Sequence, residues 1–196
     1  LTWHEIANDT VGGVPVAVTF CPLCNSAIVF DRRVGDQVLT FGVSGKLRNS
    51  DMVMYDHQSE SWWQQAEGIG IVGVKTGVEL TRVPVWVESW EAFVARNPGG
   101  EVMDEPDWPR DYGRNPYAGY DSSAQPFLYT GENPPHGIDP LARVVAIDGR
   151  AWPMTRLAEE RRIEEAGLVI TWEGQQASAL DTTRIADGRE VGSVRV

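Results

Sequence analysis

A chain of 196 residues that is 42% hydrophobic and 23% charged can bury a sizeable core and is too apolar to stay disordered. Its net charge of −11 and pI near 4.7 exclude general binding to nucleic acid or to an anionic membrane surface. Both need clustered cations, and the adjacent pairs Arg32-Arg33 and Arg161-Arg162 do not grow into a patch. No run of about 18 apolar residues exists to span a bilayer as a helix.

The 20 Gly, 12 Pro and 8 Trp suit short strands joined by tight turns, so the expected fold is mainly β, an α+β chain with few short helices. Leu1 to Asn8 reads as a short helical or irregular entry, followed by turns at Asn8-Asp9 and Gly12-Gly13. Val14 to Phe20 is β-prone and leads into Cys21-Pro22-Leu23-Cys24. Ser26–Phe30 and Val38–Phe41 flank a polar Gly35-Asp36 turn as a hairpin would. Met52–Tyr55 and Ser61–Gln65 suggest a second hairpin around residues 56–60.

Trp90 to Asn97 has helical spacing, with Ser89 as N-cap and Pro98-Gly99-Gly100 as the stop. Residues 101–140 lack a period but carry Trp108, Tyr112, Tyr117, Tyr120, Phe127 and Tyr129, which would pin an ordered excursion to the core surface. Strands resume at Arg143–Ile147. Val16 to Ala27 also aligns without gaps on Leu168 to Ala179, with Cys21 and Cys24 facing Glu173 and Gln176. One domain over residues 1–196 is the simplest organisation. The weak repeat suggests two similar antiparallel β-units within it, about 1–85 and 140–196, joined by the helix and the aromatic-rich segment.

Two cysteines are too few for a disulfide scaffold, so their spacing carries the information. Thiols two residues apart can chelate one metal ion or close a small disulfide, and either outcome needs a tight turn. Pro22 presets φ, and Asn25 suits the left-handed position that follows such a turn, as in metal knuckles whose backbone N–H groups point at the sulfurs. The missing ligands of a tetrahedral site would be His or carboxylate. Among His4, His57 and His136, His4 precedes the strand that carries the thiols. A Cys21, Cys24 and His4 set with an open position suits copper or zinc. A thioredoxin-like dithiol is the other chemical reading, although a strand and not a helix follows the cysteines. A structural disulfide and two inert thiols complete the alternatives.

These residues resemble the bacterial and archaeal family known as domain of unknown function 3179. The resemblance rests on residues 3–13, on Thr19-Phe20-Cys21-Pro22-Leu23-Cys24-Asn25-Ser26-Ala27, on the run from Phe41 to Asp51, and on Tyr112-Gly113-Arg114-Asn115-Pro116-Tyr117. Asn25 stands where the family usually has Gly, and Leu1 falls inside the family's first unit. The resemblance implies an exported or lipid-anchored protein, with any anchor upstream of residue 1. It therefore points to an extracytoplasmic, periplasmic or secreted location. It implies no reaction.

Further candidates come from the residues themselves. Ser44 to Asp51 lacks the paired glycines of a phosphate loop and reads first as an ordinary hydrogen-bonded turn, or else as a polar loop in which Lys46, Asn49 and backbone N–H groups would hold an anion. Of Trp62 and Trp63, which point to opposite faces of a strand, one belongs in the core and the other lines a pocket. Arg114 and Tyr117 would clamp a carboxylate, or else anchor their loop. No serine-hydrolase elbow, zinc-protease helix or dinucleotide fingerprint occurs. The leading expectation is an extracytoplasmic protein in which Cys21 and Cys24 bind a transition metal or carry out thiol redox chemistry, with a small molecule, metal ion or redox protein as partner. The alternative is a non-catalytic binding module stapled by a disulfide.

Overall fold

The computed structural model describes residues 1–196, which divide into two compact units. The first comprises Leu1–Val85 and Gln125–Glu132, and the second comprises Trp86–Ala124 and Asn133–Val196. The fold is β-rich α+β, built from several antiparallel sheets and two short helices.

In the first unit, Val14–Cys21 (β2) alternates so that Ala17, Thr19 and Cys21 share one buried face. It pairs with Ile6–Val11 (β1) across Gly12-Gly13 and with Ser26–Asp31 (β3) across the cysteine turn. The two-residue ribbon Arg33–Val34 (β4) and Gln37–Val38 (β5) turns at Gly35 and leads to Phe41–Arg48 (β6), Asp51–Asp56 (β7), Trp62–Gln64 (β8) and Ile69–Val72 (β9). These last four form one antiparallel sheet in sequence order. Arg82–Val83 (β10) completes the other, in the order β1-β2-β3-β10. Both sheets supply one core of Ala17, Cys21, Phe30, Leu39, Phe41, Met52, Met54, Trp63 and Leu80.

Local competition explains where these elements differ from the sequence reading. The entry is a strand from Ile6 onward, and Asn8 lies within it because its side chain completes a strand edge. Asn8 Nδ2 donates to the Phe41 carbonyl, and Phe41 N–H donates to Asn8 Oδ1, both at 2.8 Å. The Gly35-Asp36 turn closes only the β4–β5 ribbon. β3 pairs with β2 and β10, while β6 pairs with β7, so the hairpin expected of these two strands does not form. The hairpin around residues 56–60 does form, as β7 and β8, with Met54 opposite Trp63. Trp63 is the core tryptophan, and its Nε1 donates to the fully buried Asp56 at 2.9 Å.

Gly70 of β9 sits where a Cβ would lie 2.1 Å from the Lys75 carbonyl oxygen. Gly70→Ala is therefore expected to destabilise the protein by about 1–3 kcal/mol through forced backbone displacement. Urea denaturation would show this as a lowered midpoint at unchanged slope.

In the second unit, helix α1 spans Trp90–Arg96, one residue short of the expected end. Ser89 Oγ caps it by accepting from Ala92 N–H at 3.2 Å, and the helix buries no residue. Val144–Ile147 (β11) pairs with Arg150–Pro153 (β12), and Met154–Glu160 (α2) follows. Arg162–Glu165 (β13), Leu168–Glu173 (β14) and Ser193–Arg195 (β15) form a three-stranded sheet over a core of Trp152, Leu157, Ile163 and Ile170. The two segments aligned as a repeat, around β2 and β14, are each entered through a two-residue turn of left-handed residues, Gly12-Gly13 and Ala166-Gly167. They diverge afterwards. β2 turns straight into β3, whereas β14 takes its second neighbour from residues 193–195. Trp108 and Phe127 are more than half exposed, and Phe127 anchors its segment in the first unit through its carbonyl, which accepts from Ser50. Asn115 does so in the second unit, its buried amide donating to the carbonyls of Ala179 and Thr182.

Candidate metal centre

The cysteine turn connects β2 to β3 in the tight geometry expected of it. Cys21 pairs with Ser26, Asn25 is left-handed at φ 47°, and Asn25 N–H donates to the Pro22 carbonyl at 3.3 Å. The two thiols are free, so the disulfide alternative is not what the structure holds. Cys21 is buried and Cys24 is exposed.

The backbone of Cys24 and of Met52 favours the ionised form of Cys21, as backbone donors do in metal knuckles. Hydrogen bonding with Cys24 outweighs desolvation and lowers the Cys21 pKa below the usual thiol value. The same interaction, reinforced by burial, raises the pKa of Cys24.

Asp51 completes the group. Its carboxylate and the two sulfurs all lie within 4.8 Å of one another, and Cys24 Sγ is 3.2 Å from Asp51 Oδ1. The turn Asn49-Ser50 places it there. Both residues are left-handed, at φ 53° and 64°, and join β6 to β7 with Arg48 opposite Asp51. This two-residue hairpin geometry suits Asn and strains Ser. Ser50 is held by burial and by donating its hydroxyl to the Phe127 carbonyl at 2.7 Å.

An outer ring of polar groups fixes the three side chains. Ala66 N–H donates to Asp51 Oδ2 at 2.9 Å. Ser26 Oγ lies 3.1 Å from Cys24 Sγ and donates to Gln65 Oε1 at 2.8 Å. Fully buried Gln65 donates in turn to Thr19 Oγ1 at 2.9 Å, and Thr19 donates to the Ile28 carbonyl at 2.7 Å. Such support orients metal ligands and raises their affinity.

His4 occupies the exposed turn before β1. The β1–β2 register, with Glu5 O accepting from Phe20 N–H, carries its backbone to the level of Cys21. Its imidazole is not in the converging group, and Asp51 takes the third position. Ser44 to Arg48 is not a loop but the second half of β6, interrupted where Ser44 and Gly45 bulge. Lys46 lies over the Trp62 ring at 5.2 Å, and Asn49 forms the turn that delivers Asp51. Arg114 and Tyr117 belong to the second unit. The sequence reading passed over Asp51. Its signal was a carboxylate closing a polar run immediately after an Asn-Ser hairpin turn.

Residues 1–196 match the family described as Protein of unknown function (DUF3179). The chain belongs to this family. No curated protein and no solved structure matches it. The family assignment covers both units and leaves the chemistry to be argued from the site.

Proposed function

We propose that the protein binds one transition-metal ion through Cys21, Cys24 and Asp51, with a coordination position left for an exogenous ligand. The observation that carries this reading is the convergence of two free thiols and a buried carboxylate within 4.8 Å, delivered by two separate hairpins. Tetrahedral zinc needs sulfurs about 3.7 Å apart, which is compatible with three ligand atoms that all lie within 4.8 Å of one another. Zinc suits this donor set better than copper(I), because carboxylate oxygen is a hard ligand that soft copper(I) disfavours. Three protein ligands and one exchangeable position is the pattern of reactive zinc, whereas structural sites are closed by four.

Thiol redox chemistry is supported by the free, hydrogen-bonded pair but is the weaker reading. The sulfur with the lowered pKa is the buried one, and the pKa of the outer sulfur is raised. Attack on an external disulfide needs an accessible thiolate. An extracytoplasmic location is proposed along with the function on the strength of the family resemblance, and a bound ion would there protect the pair from oxidation.

Zinc titration by calorimetry tests the reading. One ion per chain is expected, with release of at least one proton, because Cys24 must ionise to bind. Asp51→Asn, which exchanges a ligating carboxylate for a neutral amide, is expected to weaken binding by about 100-fold or more at unchanged stoichiometry. Absence of stoichiometric binding, or binding without proton release, would contradict it.

A further inference from the structure

We propose that the exogenous ligand of this site is a small molecule bearing an oxyanion, carboxylate or phosphate, held by Arg48 and Lys46. This rests on the metal reading above and adds the substrate class to it. The face of the β6–β7–β8 sheet that carries Asp51 also carries Arg48, Lys46, Val53, Gln64, Tyr55 and Trp62, as the strand register dictates. Arg48 is the cross-strand partner of Asp51, which puts their Cβ atoms about 5 Å apart. Lys46 follows two residues along, about 7 Å further from the metal site. Both cations are exposed and lean across β7 toward β8. Arg48 Nη1 donates to Gln64 Oε1, and Lys46 lies above Trp62.

Their charges are not neutralised. The chain holds 28 acidic against 17 basic residues, and eight of its arginines form ion pairs: Arg33, Arg96, Arg143, Arg156, Arg162, Arg184, Arg189 and Arg195. Lys46 and Arg48 form none. Neither does Arg82, whose guanidinium donates to the carbonyl of Ala66, the residue whose N–H holds Asp51. Arg32, Lys75, Arg150 and Arg161 also lack ion pairs, so what points to an anion here is position: Arg48 and Lys46 lie on the sheet face that carries Asp51, and Arg82 binds the peptide that holds it. The neutral acceptor Gln64 fixes Arg48 while leaving its positive charge and its remaining donors available, the arrangement needed for bidentate capture of an oxyanion.

The local backbone supports the same reading. The Ser44-Gly45 bulge, closed by Ser44 Oγ accepting from Lys46 N–H and donating to the Val53 carbonyl, sets the direction of the strand segment carrying both cations. Bulges that re-aim side chains are concentrated beside functional sites.

Calorimetric titration of zinc-loaded protein with inorganic phosphate and, separately, with succinate tests the proposal and distinguishes its two sources. Binding of at least one anion is expected. Arg48→Gln should weaken it by about tenfold or more and Lys46→Met by about threefold or more, with zinc affinity unchanged in both. Arg48→Lys should recover part of the loss, which a merely structural role for Arg48 would not predict. If neither anion binds, or both variants bind as the parent does, the proposal is overturned and the metal reading stands. If zinc itself does not bind, the metal reading falls first and takes this proposal with it. Near-ultraviolet circular dichroism confirms that each variant is folded before it is scored.

Discussion

Replacing Cys24 with serine is expected to lower zinc affinity by more than about a hundredfold while leaving the fold intact. Removal of a supporting residue alone costs 10- to 100-fold, and loss of a thiolate ligand must exceed that. The change is nearly isosteric, and Cys24 is exposed, so no core packing is lost. Serine still reaches Ser26 and Asp51 by hydrogen bonding, but its hydroxyl is not a thiolate and holds zinc poorly. Competition against a chromophoric chelator would measure the loss, with thermal melts of the metal-free forms as control. Equal affinities for parent and variant would remove Cys24 from the site. Cys21→Ser is a less clean experiment, because it also places a hydroxyl in the core formed with Met52 and Ala17.

Trp63→Ala carries the largest expected cost in stability, about 3–5 kcal/mol. Trp63 is fully buried and packs edge-on against Phe41, with ring centroids 5.7 Å apart. Its removal opens a cavity between the two sheets of the first unit. It also takes the Nε1 donor from Asp56, whose other oxygen contacts come from Ser59. Trp63→Phe should cost less, about 1–3 kcal/mol, because it retains most of the packing and loses the hydrogen bond. Chemical denaturation followed by circular dichroism distinguishes the two, and equal costs would mean that the bond to Asp56, not packing, dominates.

Much of the first unit was legible because its signals are local. Alternating Val16 to Phe20, the Pro-containing cysteine turn, left-handed Asn25 and the Met52–Tyr55 hairpin each follow from residues within a few positions of one another. What escaped depends on distant partners. Asn8 belongs to a strand because of Phe41, 33 residues away. Ser44 to Arg48 looks like a loop because the bulge breaks its alternation, and only pairing with β7 restores it. The site shows the same division. The sulfur pair is visible as a spacing, whereas Asp51 arrives from 27 residues downstream, marked locally only by the Asn49-Ser50 turn before it, which does not reveal the thiols as its partners. His4 attracted attention because its position before β2 brings its backbone close. Backbone proximity does not fix where an imidazole points.

The central claim is that one metal ion sits between two sulfurs and an oxygen. X-ray absorption at the zinc edge of the zinc-loaded protein tests it most directly. Two sulfur neighbours near 2.3 Å with one or two oxygen or nitrogen neighbours at about 2.0–2.1 Å are expected, the light-atom shell changing in Asp51→Asn. A shell of light atoms alone, or of four sulfurs drawn from two chains, would contradict it.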